Sequence, residues 1–379
     1  MRILFDHQVF SWQTYGGVSR YFVEQMRGLQ TLGQEVYLPE YFYSENVYLR
    51  NIPGFERKSL SRFSFKGKKI LQNVLGRNAS LKALQKLKPA VFHPTYFDPY
   101  FLKTVQNSSQ AFVVTVHDMI HEIYGHGSRS VFSLDAQVVE NKRLLCEKAD
   151  AVIAVSENTR QDLLRFCPDI NPEKITVIHH GNALGLARYP ALTNESNAMA
   201  GTAPFLLFVG QRKAYKNFAW MLENLADLLH REPTLQLVCV GGSPFDALEQ
   251  SQLNRLGIAQ KVQYRTVASD AELVELYRQA ACFIFPSQYE GFGIPVLEAF
   301  ACACPVVLNR SSSLPEVGGD AALYFEEKNP GSLESAVQQI LSDSAFRKKQ
   351  IQLGLERAKT FTWEQSVAKH LLVYQRIAI

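Results

Sequence analysis

Several things this 379-residue sequence does without narrow what it can be. It has no C-x-x-C pair: Cys146, Cys167, Cys239, Cys282, Cys302 and Cys304 are scattered, most of them inside apolar, strand-like runs. That distribution speaks against a disulfide framework or a thiol-based zinc site and fits buried free thiols in a reducing cytosol. No apolar run is long enough to span a bilayer. The opening Met1-Arg2-Ile3-Leu4-Phe5-Asp6 turns acidic too soon for a secretion signal, so it reads as a first strand. The G-x-G-x-x-G pattern of an ordinary nicotinamide-binding unit is also missing.

Acidic residues are absent from one long stretch. Between Arg57 and Lys88 stand ten basic residues and no Asp or Glu; the whole chain carries only +4, so the remainder sits at about −6. Arg62, Lys66, Lys68 and Lys69 lie here among Phe63, Phe65, Ile70, Leu71 and Val74. Basic residues mixed with bulky apolar ones suit a helix lying on an anionic membrane surface. They equally suit a solvated helix whose apolar side packs on its own domain. No recognised nucleic-acid module surrounds the patch.

What is present is an ordinary globular composition, 46% apolar and 20% charged, in a chain long enough for two cores. Short apolar runs alternate with amphipathic stretches, the pattern of parallel strands joined by helices. Strands are expected at 3–6, 35–39, 90–92, 111–116, 151–155 and 175–178. After a polar, small-residue linker at 191–203 they resume at 205–209, 235–240, 262–267, 282–285 and 305–308. Helices are expected at 18–32, 131–148, 156–165, 217–230, 245–256, 270–280, 295–303, 331–341 and 363–377. This predicts two doubly wound α/β domains joined near residue 195.

In such sheets ligands sit beyond the C-terminal ends of the strands, so the residues following each strand matter most. Gly16-Gly17 opens the first long helix, where a backbone can approach a phosphate closely; a simple turn explains it too. His117 stands at the mouth of the 111–116 strand, placed to meet a substrate hydroxyl, although a lone histidine is more often a satisfied core residue. Arg212 and Lys216, in G-Q-R-K-A-Y-K-N, are expected to project from a loop entering a helix, where two cations and a helix N-terminus make an anion site. Surface solvation would explain them equally well. In Y-E-G-F-G-I-P-V-L-E, the backbone of Gly291, Phe292, Gly293 and Ile294 can face a phosphoryl group or a sugar, flanked by Glu290 and Glu298. Carboxylates are good partners for vicinal diols. His179-His180 is read as a hinge or acceptor-side pair, since adjacent histidines on a strand point to opposite faces and do not share a metal.

Glu290 and Glu298, seven residues apart, resemble the E-x7-E motif of family 4 retaining glycosyltransferases of GT-B fold. Gly16-Gly17, the T-V-H-D around His117, V-S-E-N-T at Val155–Thr159, Arg212 with Lys216-Asn217, Gly241-Gly242, and the stretch from Pro305 to Ala321 match that family along nearly the whole chain. The His179–Asn182 stretch departs from the family's usual Asn-Gly-Val. The resemblance implies two Rossmann-like domains facing each other across a cleft. Residues 1–190 form the acceptor side, residues 200–362 hold the nucleotide-sugar, and a C-terminal helix (363–379) crosses back to the first domain. It implies that Arg212 and Lys216 neutralise the donor diphosphate, Glu290 holds hydroxyls of the transferred sugar and Glu298 binds the ribose. His117 would contact the sugar near its reactive carbon, Gly17 would approach the phosphates, and Gly16 and Gly241 would complete the donor site.

No Asp-x-Asp pair is present, so the resemblance implies no metal and no cofactor. The look of the motifs is closest to bacterial O-antigen and exopolysaccharide mannosyltransferases. This favours GDP-mannose as donor, a glycan or lipid-linked glycan as acceptor, and a place on the inner face of the cytoplasmic membrane. UDP-glucose, UDP-N-acetylglucosamine and GDP-fucose stay open as donors, as does a soluble acceptor. A sugar-nucleotide sensor without activity and a GT-B epimerase are the readings from other classes.

Overall fold

The computed structural model describes residues 1–40, 42–52, 67–125, 134–182, 184, 203–212, 214–329 and 331–378, the side chains of 50, 51, 134 and 135 excepted. The linker expected at 191–203 falls outside these apart from its last residue, as do Arg62 and Lys66 of the basic stretch. The chain divides into two compact units: Met1–Gly181 with Trp363–Ile379, and Asn182–Thr362.

The first unit runs β1 (Arg2–Phe5), α1 (Gln8–Trp12), α2 (Gly17–Thr31), β2 (Glu35–Tyr37), α3 (Lys68–Leu87) and β3 (Val91–His93). It continues through α4 (Leu102–Gln106), β4 (Ala111–Val116), α5 (Ile120–Tyr124), α6 (Leu134–Lys148), β5 (Ala151–Ala154), α7 (Glu157–Phe166) and β6 (Ile175–Val177). The six strands form one parallel sheet in the order β2-β1-β3-β4-β5-β6. Every residue of β4 is buried, and its run Ala-Phe-Val-Val-Thr-Val is what a strand covered on both faces requires. Helix α7 starts where Ser156 caps it, its Oγ accepting from the Thr159 amide. The core joins Ile3, Phe5, Phe22, Met26, Val113 and Ile153. His179 and His180, expected on a strand, instead follow the end of β6; His180 is buried and His179 partly so.

Helix α3 packs against its neighbours in an unexpected way. Its buried stripe is Gln72, Gly76, Ser80 and Leu84, recurring every fourth residue, while Ile70, Leu71 and Val74 are 72%, 42% and 47% exposed. Glycine is needed at 76 because a Cβ there would lie 2.1 Å from the His7 ring. That ring anchors the helix, its Nδ1 lying 2.9 Å from Ser80 Oγ and its Nε2 3.2 Å from Asn73 Oδ1. The bland expectation, an apolar side folded inward, is therefore reversed at the N-terminal half of this helix.

The second unit runs β7 (Phe205–Val209), α8 (Phe218–Arg231), β8 (Gln236–Val240), α9 (Ala247–Arg255), β9 (Val262–Arg265), α10 (Asp270–Gln279) and β10 (Cys282–Phe285). Then come α11 (Ile294–Ala301), β11 (Val306–Asn309), α12 (Leu314–Gly318), β12 (Leu323–Phe325), α13 (Gly331–Ser342) and α14 (Ser344–Lys359). Its parallel sheet has the order β12-β11-β10-β7-β8-β9. Leu206, Phe208, Met221, Leu225, Leu237 and Ile284 lie at its core. The last helix, α15 (Trp363–Ile377), returns to the first unit and packs on α2, with Val367, Val373 and Tyr374 in that unit's core. All six cysteines are buried and free, and burial pushes the Cys167 thiol up to about 11 and Cys282 to about 12.

Candidate active site

In the second unit the chain lays down β7, β8 and β9 outward in one direction, then crosses back to place β10 on the other side of β7. The C-terminal ends of β7 and β10 therefore flank the point where the winding reverses, the place where open α/β sheets take their ligands. Lys216 arrives there from the β7 side, on a single 3-10 turn (Ala214–Lys216) leading into α8. Glu290 arrives from the β10 side. Lys216 Nζ lies 2.5 Å from Glu290 Oε1, with side-chain exposures of 14% and 12%. The Gln288 amide also donates to Tyr215 O at 2.8 Å, which ties the two loops together. The structure thus joins two residues that the sequence had read as separate donor contacts.

The loop carrying Glu290 is fixed from the β11 side. Its amide donates to Ser312 Oγ at 2.9 Å, while Ser313 Oγ donates to the carbonyls of Glu290 and Phe292 at 2.9 and 3.0 Å. Gly291, Phe292 and Gly293 are buried, and Gly293 caps α11 at φ 104° with Ile294 as its first residue. Glu298 is buried on that helix, its Oε2 3.4 Å from Tyr277 Oη. The Phe300 ring of α11 meets Gly354 of α14, a helix the sequence reading lacked.

Arg212 requires a correction: it does not project free from its loop. Its side chain is 5% exposed, with Nε donating to Glu249 Oε1 at 2.6 Å and Nη1 to Gly241 O at 3.1 Å. Its Nη2 reaches Ser243 O, Pro244 O and Glu249 Oε2 at 2.5, 3.3 and 3.2 Å. Gly241, at φ 93°, takes a conformation other residues avoid, and a Cβ there would lie 3.1 Å from Gly210 O. The loops after β7 and β8 therefore lie against each other.

In the first unit Gly16 caps α2 in an extended conformation, Gly17 is the first helical residue, and Gln13 Oε1 accepts from the Ser19 amide. His117, half-buried after β4, stacks on His180 with ring centroids 5.8 Å apart, and burial lowers its pKa to about 4. The loop it opens is held by the buried Lys142, which donates to Asp118 O at 3.0 Å and to Glu122 Oε2 at 2.9 Å.

Sequence reading missed the polar core behind His117. His370 Nδ1 lies 2.7 Å from Ser366 O and its Nε2 2.6 Å from Tyr21 Oη. Tyr21 Oη is 3.2 Å from Thr115 Oγ1, which is 2.9 Å from His93 Nε2. His93 Nδ1 is 2.6 Å from Tyr374 Oη, and Gln25 Nε2 donates to that hydroxyl at 2.8 Å. Burial holds His93 and His180 well below the usual histidine range and His370 at about 4. Asp6, read only as a strand end, accepts from Thr95 N, Thr95 Oγ1, Gln8 Nε2 and Tyr100 Oη at 2.8, 2.7, 2.7 and 3.0 Å. It spans the winding reversal between β1 and β3. Among the described residues no group of three or more His, Cys, Asp or Glu side chains is arranged to hold a metal ion.

Comparison with known proteins agrees with this architecture. The family model described as Glycosyltransferase Family 4 matches residues 15–183, and that described as Glycosyl transferases group 1 matches residues 192–357. The chain is 26% identical to the O-antigen chain mannosyltransferase B of Escherichia coli over 403 residues, covering 99% of this chain and 100% of that one. It is 29% identical to a D-inositol 3-phosphate glycosyltransferase of Corynebacterium diphtheriae, covering 63% of this chain and 60% of that one. Among solved structures it resembles a sucrose-phosphate synthase from Thermosynechococcus elongatus, with TM-score 0.75, 20% identity, and 99% and 98% of the two chains covered. It also resembles WaaG, a glycosyltransferase of lipopolysaccharide biosynthesis, with TM-score 0.74, 16% identity and 98% of each chain covered.

Proposed function

Because the chain belongs to the family 4 glycosyltransferases of GT-B fold, we propose that it moves mannose from GDP-mannose onto a lipid-linked oligosaccharide or polysaccharide precursor, with retention of configuration. The observation that carries the site is the Lys216–Glu290 pair at the winding reversal of the second unit. The full-length likeness to an O-antigen chain mannosyltransferase supports mannose as the transferred sugar and a glycan as the acceptor class.

In the transfer, the bond between the sugar's C1 and the diphosphate oxygen breaks and a bond from C1 to an acceptor hydroxyl oxygen forms. The departing nucleoside diphosphate takes the acceptor's proton. Lys216 is the cation that meets the charge developing on that leaving group, and Glu290 orients hydroxyls of the sugar. Glu298 receives the ribose diol, and His117, which burial keeps neutral at physiological pH, contacts the sugar near its reactive carbon. No metal is required, because the side-chain cation does that work.

The test is a thermal-shift and transfer assay against GDP, UDP, GDP-mannose, UDP-glucose and UDP-N-acetylglucosamine, with a chelator present throughout. Stabilisation by GDP and GDP-mannose, with mannose transferred to extracted lipid-linked glycan, is expected. Stabilisation by uridine nucleotides alone would replace the donor. Loss of transfer in chelator, restored by manganese, would end the metal-free mechanism. Binding without transfer or hydrolysis would mark a sensor, and product formed with no acceptor an epimerase.

Peripheral membrane contact belongs to the same reading. Among the described residues no helix is long and apolar enough to cross a membrane. The exposed Ile70, Leu71 and Val74 beside Lys69 give α3 a face suited to an anionic surface, whereas Lys68 is tied to Glu45 at 2.5 Å. Replacing Ile70 and Val74 by Glu is expected to weaken sedimentation with phosphatidylglycerol vesicles at least tenfold, since each change loses apolar burial and adds repulsion. Unchanged sedimentation would assign that face to solvent.

A further inference from the structure

Arg212 has the sequence spacing of a donor-facing cation and the surroundings of a strut. Its guanidinium makes five contacts, to both carboxylate oxygens of Glu249 and to the carbonyls of Gly241, Ser243 and Pro244. The guanidinium carbon lies 5.0 Å from the Phe245 ring centroid and 5.7 Å from those of Phe218 and Tyr264. Glu249 is itself committed. It is the third residue of α9, its Oε2 accepts from the Asp246 amide at 2.9 Å, and Asp246 caps the helix in return. Arg212 thus grips both ends of the segment from Gly241 to Glu249.

We propose that Arg212 is a positioning residue. Through Glu249 and three loop carbonyls it fixes the segment after β8 in the shape that receives a nucleoside diphosphate, and the diphosphate itself meets Lys216. This rests on the glycosyltransferase reading of the second unit. Two physical reasons carry it. To reach an anion, the guanidinium would have to break a two-point carboxylate pair and leave three loop carbonyls and Glu249 without their donor. Lys216 also faces a carboxylate, but through one contact to Glu290, so it can meet an anion by giving up a single hydrogen bond where Arg212 would give up five. Gln211 precedes Arg212 along the chain and is exposed, so the chain turns its neutral residue to solvent and its charged one inward.

The sign of one substitution decides between the two roles. Were Arg212 a phosphate ligand, Glu249→Gln would release a cation and tighten nucleotide binding. As a positioning residue it loses its anchor, so Glu249→Gln is expected to raise the Kd for GDP or UDP about tenfold. The backbone amides from Gly241 to Asp246 should exchange hydrogen faster. Arg212→Lys keeps the charge but lacks the fork, and is expected to weaken binding as much as Arg212→Gln does. The double variant R212Q/E249Q should be no worse than the poorer single one, because both break the same link.

Tighter nucleotide binding by E249Q, or full rescue by R212K, would overturn the proposal. Should R212Q fail to fold, E249Q and R212K still decide. Should the wild-type protein bind neither GDP nor UDP, the donor reading fails separately, and the exchange rates alone judge Arg212. Unchanged protection of Gly241–Asp246 in E249Q would then refute it.

Discussion

Replacing Lys216 or Glu290 by Gln is expected to lower kcat for sugar transfer about a hundredfold to a thousandfold, the effect of removing one aligned electrostatic partner from an enclosed site. Each single variant also leaves the other group partly buried without its 2.5 Å partner, so a drop in thermal midpoint should accompany the lost activity. That ambiguity is removed by the double variant K216Q/E290Q, in which no charge is stranded. Its midpoint should return close to that of the wild type while its kcat stays as low as in either single variant. A double variant that regains transfer along with stability would show that the pair only braces the loops after β7 and β10. Donor KM separates the two residues further. Glu290, proposed to orient the sugar, should affect intact donor, whereas Lys216 should also weaken binding of the bare nucleoside diphosphate.

The sequence displayed the central strands because these are buried on both faces, whereas the edge strand β12, with only Phe325 buried, is not among those it suggests. Runs such as Phe205–Val209 and Ala111–Val116 stay apolar without alternation, so neither needed knowledge of its neighbours. Helix α14 escaped for the opposite reason. It buries Gln350, Gly354 and Ala358 against α11, a stripe of small and polar residues that hydrophobic periodicity does not register. Helix α3 uses the same device with Gln72, Gly76 and Ser80, which is why its aliphatic residues misled about which side faces inward.

At the site, the motifs after β7 and β10 were legible as motifs, but not the direction of their side chains. Nothing local to Arg212 reveals that Glu249 and the carbonyls of another loop wait for it on the inner side. The pairing of Lys216 with Glu290 depends on β10 lying beside β7, a product of the crossover rather than of either segment. Along the sequence His117 stands apart from the other histidines of its cluster. Its company of His93, His180 and His370 is assembled from three other parts of the chain, one of them the returning α15.

That company sets an expected response to acid. The Ser366 carbonyl can only accept, so His370 Nδ1 carries the proton between them and Nε2 must accept from Tyr21 Oη–H. Tyr21 oxygen then accepts from Thr115, Thr115 from His93 Nε2–H, His93 Nδ1 from Tyr374, and Tyr374 from Gln25. One direction of donation runs from α2 through β3 and β4 to both ends of α15, and it holds only while both rings are neutral. His370 is lowered from 6.5 to about 4, so above pH 6.5 the native and unfolded states bind the same number of protons there. Between 6.5 and 4 the unfolded chain takes up a proton that the native state refuses, and stability falls with falling pH. The loss is on the order of 3 kcal/mol for this ring alone. His93 and His180, also held well below the usual histidine range by burial, add to the same limb. Protection factors across Trp363–Ile377, in which the intrinsic pH dependence of amide exchange is divided out, are therefore expected to fall steeply from pH 6.5 down to 4.5 and to change little between 6.5 and 8. Substituting His370 by Gln, which cannot titrate, should remove about one proton's worth of that slope, roughly 1.4 kcal/mol per pH unit, while lowering stability at neutral pH. An acid limb of unchanged steepness in H370Q would mean that the C-terminal helix is released by carboxylate protonation elsewhere and not by this chain of donors.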